Sequence, residues 1–354
     1  MLSTNCTELG EEIKSLIKVW LIIIASLCYS YFISSKIPKG IFRFLSLSPI
    51  MYIFTILPFQ LSFVLPIGIT SFLITWLTNF KLLLFTFDLG PLSSNPSNSL
   101  PLFLTFACFP IRITQKLKHP LNQNPSKFHL LLPMKAMLLF FLLMGLKNDP
   151  QKKQDMYIYS SFIIVCLYCS LIYLLLDLVW GLCNILINAS IGIELELPFD
   201  EPYLSTSLGD FWGKRWNLIV TYILRHTVYI PVKTLMSKTL LGPQWASLPG
   251  IIASFWVSGL MHELIFYYVT RVTPTWEVTC FFLLHGVCVV VEIGVMKLLG
   301  FKRRVHWAIS GPIIVGFVVS TSAWLFFPPI IRDGADQRAI EEFNNVVDCV
   351  MEKF

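Results

Sequence analysis

From Phe44 to Phe80 the chain carries no Asp, Glu, Lys or Arg. A helix needs about 20 apolar residues to cross about 30 Å of hydrocarbon. This run is therefore long enough for two crossings, and Pro66 and Gly68 are expected to mark the turn between them. Further apolar runs occur at Val19–Ser35, Met156–Leu176 (continuing past Asp177 to about Ile193), Gln244–Val269, Val278–Leu298 and Trp307–Ile331, with a weaker one at Leu130–Leu146 around Lys135. Leu89–Ile111 is also uncharged, but Pro91, Ser93, Ser94, Asn95, Pro96 and Ser97 break its first half. Only Leu100–Cys108 is expected to enter the membrane there, as a re-entrant or interfacial piece. The expectation is an all-α, polytopic membrane protein with about eight transmembrane helices, because an open sheet edge has no place in lipid.

Composition agrees. Of 354 residues, 55% are hydrophobic and 14% charged, against about a quarter charged in soluble domains. This excludes a disordered chain and an ordinary cytosolic enzyme. No internal repeat is visible, so 1–354 reads as a single integral-membrane domain, with 194–240 as a cytosolic or interfacial segment inside it. The start is acidic (Glu8, Glu11, Glu12) and the apolar run continues to Ile33, which favours a retained first span over a cleaved signal peptide. The formal charge of +6 suits cytoplasmic loops facing anionic headgroups. It does not suit nucleic acid, since no basic run is interleaved with aromatics. The cations of 194–238 and 301–306 put those loops in the cytoplasm and 271–277 in the lumen. The nine cysteines lie mostly in apolar runs and read as small hydrophobes rather than a disulfide framework. Cys166 and Cys169 form a C-x-x-C pair inside a lipid-length helix and read as packing.

Two places break the apolar pattern. The first is Ser258-Gly259-Leu260-Met261-His262-Glu263-Leu264. An ionisable pair at that depth costs about 2.5–3.5 kcal/mol per charge unless it meets a partner or cavity. Ser258 and Gly259 would let a backbone or substrate approach closely. A zincin helix would need a second histidine where Phe266 stands, so no metal site is supported. A packed structural histidine is the plain alternative. The second place runs from Asp200-Glu201-Pro202-Tyr203-Leu204 to Asp210-Phe211-Trp212-Gly213-Lys214-Arg215-Trp216-Asn217. Lys214 and Arg215 could meet phosphates, while Trp212 and Trp216 equally suit an interfacial aromatic belt.

Taken together, these two strings resemble the paired signature of the membrane-bound O-acyltransferase superfamily. Asn79-Phe80-Lys81-Leu82-Leu83-Leu84-Phe85, Pro202-Tyr203-Leu204-Ser205-Thr206-Ser207-Leu208 and Pro274-Thr275-Trp276-Glu277-Val278-Thr279-Cys280-Phe281-Phe282 are similar to its plant wax synthase subgroup. The similarity runs from about Ile13 to Ala335. It implies a helical bundle with an internal substrate tunnel, an endoplasmic reticulum address, and transfer of an acyl group from acyl-CoA to a lipid alcohol without a permanently bound cofactor. On this resemblance His262 is the general base and Asn217 orients the acceptor or donates to the developing oxyanion. Phe211, Trp212, Lys214, Arg215 and Trp216 stand where relatives contact acyl-CoA, with Lys214 and Arg215 replacing the Asp-Trp of sterol- and diacylglycerol-esterifying members. Ser258 and Glu263 support the histidine, Glu263 by holding the imidazole's orientation, although adjacent helical residues point about 100° apart. His285 reads as a packed polar side chain and His306 as solvated.

The implied product is a wax ester from a long-chain fatty alcohol. Sterol or diacylglycerol as acceptor is the alternative inside the same chemistry. A non-catalytic lipid transporter or membrane scaffold is the alternative of another class, which would call for charged pairs in several spans or an inverted repeat.

Overall fold

The computed structural model describes residues 2–93, 99–109, 133–141, 161–191, 198–238, 242–299 and 306–351. Among them every regular element is helical, and seven helices are long and apolar enough to cross a membrane. The chain divides into two compact units: residues 1–111, 219–302 and 329–354 form the first, and 112–218 with 303–328 the second.

The first unit holds α1 (Leu2–Phe32), α2 (Ile41–Ile56), α3 (Val64–Phe85), the short α4 (Leu100–Cys108), most of α5 (218–236), α6 (Ser247–Thr270), α7 (Glu277–Leu299) and α8 (Ala335–Met351). Helical spacing decides which faces are buried. Val19, Ile23 and Leu27 on α1 and Leu47, Ile50 and Phe54 on α2 recur every three or four residues and are closed to solvent. The opposite faces stay apolar: Leu21 is 62% exposed and Phe42 and Tyr52 are 68% exposed. Apolar surface on both faces of helices this long is expected of a protein solvated by lipid.

The turn between α2 and α3 lies at residues 61–63, not at Pro66 and Gly68. Pro66 falls in the first turn of α3, where a missing N–H costs nothing. The unpaired N–H groups at this turn are taken by carboxylates. Glu12 accepts from Ser62 (3.0 Å) and Phe63 (3.2 Å), and Glu342 accepts from Val64 (2.8 Å). Negative charge at a helix N-terminus also complements its dipole. Nearby, Arg271 donates to the Leu61 carbonyl at 3.2 Å and lies 4.7 Å over the Phe59 ring.

A disulfide joins Cys6 to Cys349 and ties α1 to α8, so these two cysteines do not behave as the small hydrophobes the sequence suggests. Cys166 and Cys169 are free, as the packing reading expects. At the other end of the unit, Arg43 donates to the carbonyls of Ile37 and Phe85, both at 2.9 Å, and pairs with Asp88.

The second unit holds a helix at 133–141, α9 (Ser161–Ile191), the folded segment 198–218 and α10 (Trp307–Thr321). Lys135 and Asp177, two charges inside apolar runs, pair at 2.6 Å, which offsets the cost of burying either alone. Residues 110–132, 142–160, 192–197 and 300–305 lie outside the described residues, and with them most of the 301–306 stretch on which the sequence-based orientation partly rests.

Candidate active site

His262 stands two thirds of the way along α6 in the first unit. Its Nδ1 lies 2.7 Å from the Ser258 carbonyl oxygen, one turn back. A carbonyl only accepts, so Nδ1 carries the proton and the lone pair belongs to Nε2. That tautomer is the one a base needs. Ser258 thus supports the imidazole through its backbone rather than its hydroxyl. Ser258 and Glu263 are buried, whereas His262 retains accessible surface.

Close helix packing brings the imidazole its neighbours. A Cβ on Gly259 would meet the Thr279 Cα at 2.9 Å, so only glycine admits α7 at this crossing. The approach stacks Phe282 on His262, with centroids 4.4 Å apart and planes at 28°. It also lets Glu263 Oε1 accept the Thr279 N–H at 3.0 Å. Glu263 therefore caps the N-terminus of α7.

From the other side comes Trp76, edge-on to His262 at 5.0 Å and 80°. Trp76 lies within Ser71–Thr78, where α3 relaxes into π-type turns, a rare geometry that concentrates at functional sites. Nothing in the sequence marks this tryptophan, because a tryptophan in an apolar run reads as core. Its ring is 1% exposed, and Nε1 has no hydrogen-bond partner among the described residues. The Thr279 hydroxyl is likewise buried without a partner. An orphaned buried donor costs about 1–3 kcal/mol, so one on a ring 5.0 Å from that of His262 signals a place that something polar completes.

The other motif residues lie in the second unit. Ser207 caps a short helix by accepting the Asp210 N–H at 3.0 Å. The Asp210 carboxylate accepts from the Thr206 backbone N–H (3.2 Å) and Arg215 Nε (3.0 Å). Burial pushes the Asp210 carboxyl up, but these bonds and the guanidinium charge together hold it below its ordinary value. Arg215 Nη1 donates to the carbonyls of Asp200 at 3.0 Å and Glu201 at 3.3 Å. Arg215 is thus committed to holding the segment, and Lys214 is left exposed. Trp216 stacks on Phe211 at 5.6 Å and 12° and meets Phe199 at 4.9 Å, while Trp212 packs edge-on against Phe211 at 5.1 Å. Asn217 has φ of +43°, a left-handed corner that asparagine tolerates better than most residues. His285 is fully buried and packs 4.4 Å from Phe281, as the packing reading expects. His306 caps α10 by accepting the Ala308 N–H at 3.3 Å.

Residues 196–284, which contain both strings, match the membrane bound O-acyl transferase family. "Probable long-chain-alcohol O-fatty-acyltransferase 2" of Arabidopsis thaliana is 44% identical over 96% of this chain and 97% of its own length. This chain belongs to the membrane-bound O-acyl transferase family. The "Long-chain-alcohol O-fatty-acyltransferase" of Simmondsia chinensis is 40% identical over 95% of each chain. The "Acyl-CoA--sterol O-acyltransferase 1" of Arabidopsis thaliana is 39% identical over 93% of this chain and 94% of its own. The resemblance carried by the motifs is therefore matched along nearly the whole length.

Proposed function

We propose that the chain is a long-chain-alcohol O-fatty-acyltransferase that makes wax esters from acyl-CoA and a fatty alcohol. The whole of 1–354 acts as one acyltransferase domain of the endoplasmic reticulum membrane. The observation that carries the chemistry is the Nδ1 contact to the Ser258 carbonyl, which reserves the Nε2 lone pair of His262 for a proton. The bound alcohol gives its proton to Nε2 while its oxygen forms a bond to the thioester carbonyl carbon. The tetrahedral intermediate then collapses, the C–S bond breaks, and the imidazolium returns the proton to the departing thiolate. No covalent enzyme intermediate is needed.

Acceptor choice follows the relatives' names, which weigh towards long-chain alcohols. Asn217 orients the acceptor in this scheme, and Phe211, Trp212, Lys214 and Trp216 form the acyl-CoA contact. Lys214 supplies the exposed cation for its phosphates, and Arg215 holds the segment in shape. The lipid alcohol reaches His262 through a tunnel from the bilayer, and excluding water protects the thioester. The Cys6–Cys349 disulfide supports a lumenal placement for that end of the first unit, since such bonds persist in oxidising compartments.

The test is ester synthesis by microsomes expressing the chain, offered acyl-CoA with fatty alcohol, sterol and diacylglycerol in parallel. His262→Ala is expected to lower the rate about 10³-fold at unchanged abundance. Wild-type turnover by that variant would remove His262 as the base. Sterol ester as the main product would move the enzyme to the sterol-esterifying branch.

A further inference from the structure

The reaction places negative charge on the thioester carbonyl oxygen, and an enzyme that accelerates it provides a donor preorganised for that oxygen. The Trp76 ring lies against the imidazole at 5.0 Å, and its Nε1–H is buried with no acceptor among the described residues. We infer that Trp76 is a catalytic residue whose indole N–H binds the thioester carbonyl oxygen and stabilises the oxyanion formed when the alcohol attacks. This rests on the reading of His262 as base.

Three observations converge on the assignment. Indole is a donor without an acceptor lone pair on nitrogen, so Trp76 is unable to take the alcohol's proton and compete with Nε2. A hydrogen bond to the alcohol oxygen would withdraw electron density from the nucleophile, whereas one to the carbonyl oxygen strengthens as the transition state forms. The ring is held rigidly, 1% exposed, edge-on to Phe72 at 5.8 Å, and set in the π-type stretch of α3. A fixed donor of this kind needs no reorganisation at the moment of reaction.

Bonds balance without a further reactant. The alcohol oxygen forms its bond to the carbonyl carbon as its proton passes to Nε2. The carbonyl π pair moves to the oxygen facing Trp76, then returns as the C–S pair leaves with sulfur. The indole proton stays on nitrogen throughout.

The experiment compares wild type, Trp76→Phe and His262→Ala as full-length chains in microsomes, with abundance measured for each. Trp76→Phe keeps a packed ring and removes the donor. Its expected kcat is about 10²-fold lower, with KM for both substrates within about twofold and the pH dependence of kcat unmoved. With the dithioester analogue of the acyl donor, whose C=S is a poor acceptor, wild type is expected to slow and Trp76→Phe to slow no further. If Trp76→Phe does not accumulate, the benzothienyl analogue of tryptophan at position 76 keeps the shape and replaces N–H by sulfur. Wild-type kcat in a normally abundant Trp76→Phe, or equal slowing of both proteins by the dithioester, would overturn the assignment while His262→Ala remained inactive. Wild-type turnover by His262→Ala would instead remove the base reading and this inference with it.

Discussion

Two stretches of α3, little more than a turn apart, treat buried polar groups in opposite ways. Lys81 is 1% exposed, and its ammonium donates to the carbonyls of Phe106 (2.9 Å), Ala107 (3.2 Å) and Phe109 (2.5 Å). Thr78 adds a bond to the Ala107 carbonyl at 2.9 Å. Together they saturate the C-terminal end of the short helix α4, where carbonyls lack partners within the helix and the dipole favours a cation. Trp76 is equally buried, yet its single donor meets no acceptor among the described residues. The saturated group holds a nine-residue helix in place, and the unsaturated one sits on a ring 5.0 Å from that of His262. On the proposed reading of His262, the fully paired group belongs to the scaffold and the orphaned donor beside the imidazole is where substrate would bind.

If that distinction is right, removing saturated groups destabilises and removing orphans does not. Lys81→Met is expected to cost about 2–4 kcal/mol by exposing unpaired carbonyls, seen as a lower thermal midpoint in detergent. A stable Lys81→Met would break the comparison. Glu263→Ala should cost about 1–2 kcal/mol, because it removes the acceptor of the Thr279 N–H. Glu263→Gln keeps that oxygen and should leave both midpoint and kcat near wild type. A large fall in kcat in Glu263→Gln would return the carboxylate to the imidazole. Thr279→Val replaces an orphaned hydroxyl by a methyl of similar shape, so stability should change by less than about 0.5 kcal/mol in the losing direction. Its kcat/KM measures whether that hydroxyl also meets substrate.

A smaller effect is expected in the second unit. Asp210 has a carboxyl held below its ordinary value, so the ionised folded form contributes stability above the unfolded pKa of about 3.9. That contribution fades as pH falls from about 4 through the lowered folded value. Thermal midpoints of wild type should drop over that window, and Asp210→Asn should flatten the drop.

Much of this architecture could be read from hydropathy. The boundaries Leu100–Cys108 and Trp307 as a helix start emerge as expected, because serine and proline punctuation and charge runs bracket them. His262 stood out because an ionisable side chain in an apolar run demands a reason. Trp76 did not, since an unused N–H is a property of three-dimensional surroundings and leaves no trace in a string of residues. Arg215 reads in the sequence as half of a phosphate-binding pair, and its ion pair with Asp210, five residues earlier, is not visible there. Pro66 looked like a turn, yet proline is at home in a helix's opening turn. The pairing of Cys6 with Cys349 spans 343 residues, a separation at which spacing carries no information.

That same bond constrains the path of the backbone through the bilayer. Two sulfurs that touch share one aqueous side, so the number of crossings between them is even. Seven candidate crossings are found among the described residues, an odd count. Parity therefore calls for a further crossing beyond those seven. Two candidate crossings separate Cys6 from the turn at 61–63, and two separate the turn at 271–276 from Cys349, so both turns fall on the cysteines' side and the Arg43–Asp88 pair on the opposite one.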